Sequence, residues 1–321
     1  MLGVMMPKSS AALIAPAVAA SLVLTACAPG EGEEGEGKPL VMTTFTVLED
    51  MTAAVAGDHV EVRSITPAGA EVHEYDPTPQ DVRVAAEADL ILENGLHLEE
   101  WFGQFIDQSQ APSVTLSEGV ETRPVTRVPG HPDEQSEEDM PVDPHAWMSP
   151  QKALIYVENI EEALSELAPE HADDFAANAQ DYSEELEELI AETEQRVEDL
   201  DGEIHVVSCE GAFGYLADEF GLQEHYLWPL NADGEGTPQQ VEAQIDYVQE
   251  HEVPTVFCES TVNSGPQEQV AEAAGAELGE PLYVDSLSED DGPVSSYLEL
   301  LEYDIDLILE AAKADLPGEH D

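Results

Sequence analysis

From residue 40 onward the chain alternates short apolar runs with amphipathic stretches. Residues 40–45 read as a strand, 47–56 as a helix and 60–65 as a strand. Thr78 and Pro79 suit an N-cap and a first helical position, predicting a helix over 79–87. Residues 89–92 form a buried-strand run, 97–106 a helical pattern and 113–116 a short strand. A polar stretch at 117–142 follows, after which Ser149 caps a helix opening at Pro150. Almost no breaker interrupts 170–200, which predicts one helix of about 30 residues and about 45 Å. The alternative is two helices with a loop near Asn178. The alternation then restarts, with strands at 204–208, 223–227, 253–257 and 282–284. Helices are expected at 211–219, from Pro238 with a Thr237/Gln240 capping box, at 266–275 and at 295–313.

Strands alternating with helices predict an α/β fold of parallel sheets covered on both faces. The restart divides the chain into an N-terminal lobe (39–168), a linking helix (169–200) and a C-terminal lobe (201–321). Thr-Pro-Gln opens a predicted helix in both halves, at 78–80 and 237–239, a faint echo of a repeated lobe.

The first segment stands apart from this pattern. An apolar run over 11–24 after Lys8 is too short for an ordinary span and reads as a signal-peptide core within 1–26. It ends in Leu-Thr-Ala-Cys, similar to a bacterial lipobox, so Cys27 is the expected lipidation site and mature first residue. The alternative is a plain secretion signal. A diacyl anchor holds a protein at a membrane without a spanning helix. The Gly- and Glu-rich residues after Cys27 make 27–38 a flexible, self-repelling tether.

The formal net charge of −62 excludes nucleic acid as a partner. Such an excess destabilises a compact state by self-repulsion. Salt near 1 M shrinks the Debye length to about 3 Å and screens it, so a salt-loving host is expected; an acidic protein from an ordinary host is the alternative. Cys209 and Cys258 end predicted strands in one half. Outside the cytoplasm they either pair, closing a loop of about 50 residues worth about 4 kcal/mol, or remain buried thiols.

Four residues beside predicted strand ends or helix starts have metal-ligand chemistry: His73, His145, Glu210 and Asp285. In parallel sheets, ligands gather beyond the carboxyl ends of the strands. Two neutral imidazoles and two carboxylates balance a divalent charge and suit a borderline-hard cation. Four protein ligands leave little room for an activated water, so such a site carries metal rather than uses it.

Several longer stretches carry a resemblance: GAEVHEYDPTPQD (69–81), NGLHLEEWF (94–102), DPHAWMSP (143–150), EGAFGYLADEFGL (210–222), EGTPQQV (235–241) and ESTVNSGP (259–266). Together they make the chain similar to the metal-binding solute-binding lipoproteins of ABC importers, the manganese/iron/zinc group. The resemblance implies two pseudo-symmetric α/β lobes joined by a long helix, with His73, His145, Glu210 and Asp285 holding one metal between them. It implies a monomeric, extracytoplasmic, lipid-anchored receptor that delivers cargo to a permease driven by a cytoplasmic ATPase. Zinc-specific members tend to have a histidine where this chain has Glu210, and a His-rich loop where 117–142 holds only His131. The harder donor set favours Mn²⁺ or Fe²⁺, although the Irving–Williams order still permits Zn²⁺ to bind more tightly. His97 is a candidate for supporting a ligand from behind. Glu259 either hydrogen-bonds near the cleft or caps the turn after it, and the turn cap is the preferred reading. His59, His171, His205, His225, His251 and His320 read as solvated or helix-edge residues.

The alternatives are a zinc receptor of the same group and, from another class, a secreted metallohydrolase. The latter needs an open coordination position and a general base, and no His-Glu-x-x-His motif is present. An adhesin role is a third reading that no sequence feature requires.

Overall fold

A computed structural model describes residues 37–106, 111–126, 140–230, 236–289 and 292–314. The signal peptide, Cys27, most of the tether, His131 and His320 lie outside the described residues. In the first half, β1 (Leu40–Thr43), β2 (Glu61–Ser64), β3 (Leu90–Glu93) and β4 (Ser113–Thr115) form a parallel sheet in the order β2-β1-β3-β4. The apolar runs of β1 and β3 take the central places, and β2, whose residues alternate between exposed and half-buried, takes an edge. The connecting helices are α1 (Thr46–Ala56), α2 (Pro79–Ala85) and α3 (Glu100–Ile106). Thr78 and Asp81 form a reciprocal capping box at α2.

The second half repeats this order. β5 (His205–Glu210) pairs in parallel with β6 (Gln223–Trp228), and β7 (Thr255–Val256) with β8 (Glu277–Leu278). The Phe257 N–H donates to Val207 O at 2.8 Å, joining β7 to β5. The buried Gln267 amide donates to Val207 O and Phe257 O, at 3.2 and 2.8 Å. The resulting sequence β6-β5-β7-β8 matches β2-β1-β3-β4 strand for strand. α6 (Gly214–Phe220), α7 (Pro238–Glu250) and α8 (Gly265–Ala274) accompany these strands, and Thr237 and Gln240 form the capping box of α7.

Three longer helices complete the fold: α4 (Pro150–Leu167), α5 (Ala172–Glu198) and α9 (Tyr297–Ala314). Ser149 Oγ accepts the Lys152 N–H at the start of α4. α5 contains neither Gly nor Pro and is continuous over 27 residues, about 40 Å. No loop occurs at Asn178, whose amide donates to Val55 O from within the helix. Phe175, Ala179, Tyr182, Leu186, Leu189 and Thr193 recur at three- and four-residue steps and form its buried stripe. α5 packs against α1, α4, α6 and α9, elements from both halves. One apolar core accordingly runs from Val41 and Phe45 through Tyr156 and Leu186 to Phe213, Val284 and Leu301. Each half has a smaller second cluster, around Ile91 and Phe102 in one and Val256 and Val270 in the other.

Several element bounds differ from expectation, among them α6 starting at Gly214 and β7 reduced to Thr255–Val256, and two departures have a visible cause. Residues 282–284 are not a strand; Leu282 makes a single bridge to Glu259, and β8 lies earlier. Gly279 and Leu282 donate to Val256 O and Cys258 O, but Pro281 between them has no N–H, so the ladder is interrupted. Helix α3 starts at Glu100 rather than residue 97, because Gly95, Leu96 and His97 all have positive φ. Glu99 fixes that turn by accepting the N–H groups of Asn94 and Gly95, at 2.7 and 3.1 Å. No helix among the described residues is long and apolar enough to cross a membrane.

Candidate metal centre

The four candidate ligands come from four separate segments. His73 lies in the loop between β2 and α2, where the Trp101 indole donates to Val72 O at 2.7 Å. His145 immediately precedes a short 3-10 turn (Ala146–Met148). Glu210 is the last residue of β5, in register with Trp228. Asp285 follows Val284, whose carbonyl accepts the Trp147 indole N–H at 3.1 Å. The first and last of these loops are tied together, since the Gly69 N–H donates to Ser286 Oγ at 2.7 Å.

These residues converge. His73 Nε2 lies 3.2 Å from His145 Nε2 and 3.3 Å from Glu210 Oε1, and His145 Nε2 lies 3.8 Å from the same oxygen. Donor atoms of His73, His145 and Asp285 lie within 4.8 Å of one another. Donors about 2.1 Å from a common ion are about 3.0–3.6 Å apart, so the 3.2 and 3.3 Å spacings around His73 suit one small dication, while the 3.8 Å spacing of His145 from Glu210 is slightly wider. The His145, Glu210 and Asp285 side chains are buried, and the His73 side chain is 5% exposed. Burial, then the neighbouring His145, holds His73 well below the ordinary imidazole range. That favours the neutral ring a metal requires.

A second layer of contacts orients His145. Asp143 Oδ1 accepts both its backbone N–H, at 3.0 Å, and the proton on Nδ1, at 2.9 Å, which presents Nε2 to the centre. Asp143 Oδ2 pairs with Arg123 Nη1 at 3.0 Å, and Arg123 Nε reaches Asp218 at 2.8 Å. Gly214 lies against this guanidinium, and a Cβ there would collide with it. Tyr215 adds a hydrogen bond from its hydroxyl to Asp143 O at 3.0 Å. A cavity of about 370 Å³, lined in part by Arg123, Lys152, Tyr215 and Glu219, flanks the network. Behind Glu210, its backbone N–H donates to Glu259 Oε2 at 3.2 Å. Glu259 is thus buried support for Glu210 rather than only a turn cap, and burial pushes its carboxyl up to about 8. Cys209 and Cys258, each adjacent in sequence to one of these glutamates, are disulfide-bonded.

His97 is not part of this assembly. Its side chain is 78% exposed and lies 2.8 Å from Glu100. The positive φ at residues 96 and 97 carries the ring outward. The contribution of the NGLHLEEW stretch comes instead from Asn94, whose amide donates to Pro144 O beside His145, and from the buried Glu99. Asp143 was detectable by its position two residues before His145. No local pattern pointed to Arg123.

Residues 41–311 match the family described as ZnuA, "Zinc-uptake complex component A periplasmic". The chain is 42% identical to the "Iron-binding protein YfeA" of Yersinia pestis over 302 residues, covering 93% of this chain and 94% of that protein. It is 31% identical to the "Manganese ABC transporter substrate-binding lipoprotein PsaA" of Streptococcus mitis, covering 90% and 94%. A solved Mn-bound periplasmic metal-binding protein from Candidatus Liberibacter asiaticus superposes with a TM-score of 0.77 at 36% identity, covering 86% of this chain and all of that one. The chain belongs to the ZnuA family of metal ABC-transporter substrate-binding proteins.

Proposed function

We propose that this protein captures Mn²⁺ or Fe²⁺ on His73, His145, Glu210 and Asp285 and delivers it to a membrane permease driven by a cytoplasmic ATPase. It is an extracytoplasmic, lipid-anchored receptor of an ABC importer, not an enzyme. The two lobes, 39–168 and 201–321, each supply two ligands, so cargo binding depends on both. Cys27 carries the lipid, and the folded body acts as a monomer.

The supporting observation is the convergence of two imidazole nitrogens and a carboxylate oxygen at 3.2 and 3.3 Å in a buried position. Two carboxylates and two neutral imidazoles cancel the charge of a dication, which makes the burial of the loaded site tolerable. The iron and manganese named for YfeA and PsaA support the same cargo. Zinc is the second reading, favoured by the family description and by the higher place of Zn²⁺ in the Irving–Williams order.

The test has two parts. Elemental analysis of protein purified without added metal, then Mn²⁺/Zn²⁺ competition, identifies the preferred ion. Glu210→Ala and Asp285→Ala are each expected to weaken Mn²⁺ binding by about 100-fold or more in calorimetry, since each removes a charge and a ligand together. Unchanged affinity in both variants refutes the ligand set.

A further inference from the structure

Strand β5 ends at Glu210 in the buried centre. Its opposite end carries a second group with the same donor chemistry. Glu203, His205 and His251 place donor atoms within 4.8 Å of one another. The His205 and His251 rings are 4.9 Å apart and inclined at 45°, close to the 5.3 Å and 54° of His73 and His145. Glu203 and His251 are exposed and His205 is half-buried.

The two imidazoles are held from behind by one side chain. Tyr247 lies one turn before His251, the residue that ends α7 and whose N–H donates to Tyr247 O at 3.0 Å. The Tyr247 ring lies 4.3 Å from the His251 ring, and its hydroxyl is 2.7 Å from His205 Nδ1. His225 stacks on the same tyrosine at 3.9 Å and is itself anchored by Gln244 at 2.8 Å. With Nδ1 engaged by the hydroxyl, Nε2 is the His205 nitrogen a metal would take, and the tyrosine oxygen is placed to accept the Nδ1 proton. A cavity of about 20 Å³ lies beside Glu203 and His205, between the start of β7 and Ala311.

We propose that Glu203, His205 and His251 form a second metal site that takes one Zn²⁺, Cu²⁺ or Ni²⁺ ion, with water completing its coordination. Two imidazoles and one carboxylate suit those borderline ions. An exposed three-donor site holds Mn²⁺ weakly, since Mn²⁺ lies at the bottom of the divalent series. Another group among the described residues, the half-buried His59 and His171 with the exposed Asp174, has different geometry. Its imidazoles stack at 3.9 Å and 20°, which puts their lone pairs in nearly parallel, separate planes, and His59 is engaged by Asp174 at 3.0 Å.

Zn²⁺ titration of the metal-free full chain, followed by calorimetry and chelator competition, is expected to give a second, weaker equivalent. That equivalent is lost in His251→Ala and Glu203→Ala, retained in His59→Ala, and retained in Glu210→Ala, which acts on the buried centre. Cu²⁺ bound at this second equivalent shows imidazole nitrogen coupling in its electron paramagnetic resonance spectrum, reduced in His251→Ala. A parent protein with no second equivalent, or one that survives both His251→Ala and Glu203→Ala, overturns the proposal.

Discussion

Strand β5 has a histidine–carboxylate group at each end, and the two differ in surroundings far more than in composition. At Glu210 the imidazoles meet in a buried pocket, with Asp143 and Arg123 behind one of them and Glu259 behind the carboxylate. At His205 the group is more exposed, and Tyr247 braces both of its imidazoles. The donor types set which ions are acceptable. Burial and support set how tightly the geometry is held and how costly an unmatched charge becomes. The buried group belongs to the segments that join the two halves, whereas the exposed group is local to the second half.

The sharpest way to break this contrast is to remove support without touching a proposed ligand. Asp143→Ala is expected to weaken Mn²⁺ binding by about 10- to 100-fold, or ~1.4–2.8 kcal/mol, while leaving the weaker Zn²⁺ equivalent unchanged. Equal calorimetric affinity in variant and parent would show that His145 needs no orienting carboxylate. Next in size, Glu210→His is expected to shift the Mn²⁺/Zn²⁺ preference toward zinc by about tenfold. Competition titration reads this ratio, and an unmoved ratio removes Glu210 as the discriminator.

A further effect concerns the scaffold rather than metal binding. Burial pushes the Glu99 carboxyl up to about 7, against about 4.3 for an unfolded glutamate. Between those values the folded chain keeps a proton that the unfolded chain releases, so stability falls as pH rises through this window. Glu99→Gln removes that contribution and is expected to flatten the pH dependence of unfolding by roughly 1–3 kcal/mol between pH 4.5 and 7. Glu224, also raised to about 7 by burial, contributes in the same direction and keeps part of the slope in the variant. Denaturant melts across that range at constant salt decide, and an unaltered slope contradicts the buried, protonated Glu99.

Much of the fold was readable locally. The capping chemistry of Thr78, Ser149 and Thr237 set three helix starts to the residue, because a cap acts within a few positions of itself. The nearly breaker-free composition of 170–200 carried the long helix, observed over Ala172–Glu198. Where a reading missed, a non-local or conformational factor had intervened. Pro281 interrupts the ladder between β8 and Leu282, and the positive φ at Leu96 and His97 turns that histidine to solvent.

The sequence by itself determined the alternation of strands and helices, the acidic surface and the donor residues worth watching, since periodicity, capping and side-chain chemistry are carried by neighbouring positions. Only the tertiary structure decided that His73 and His145 meet with Glu210 and with Asp285 beside them, that Arg123 steadies Asp143 behind His145, and that Glu203, His205 and His251 gather around Tyr247. Those meetings join segments tens to hundreds of residues apart, and their geometry is set by the packing of both halves on a common core, which no local pattern encodes.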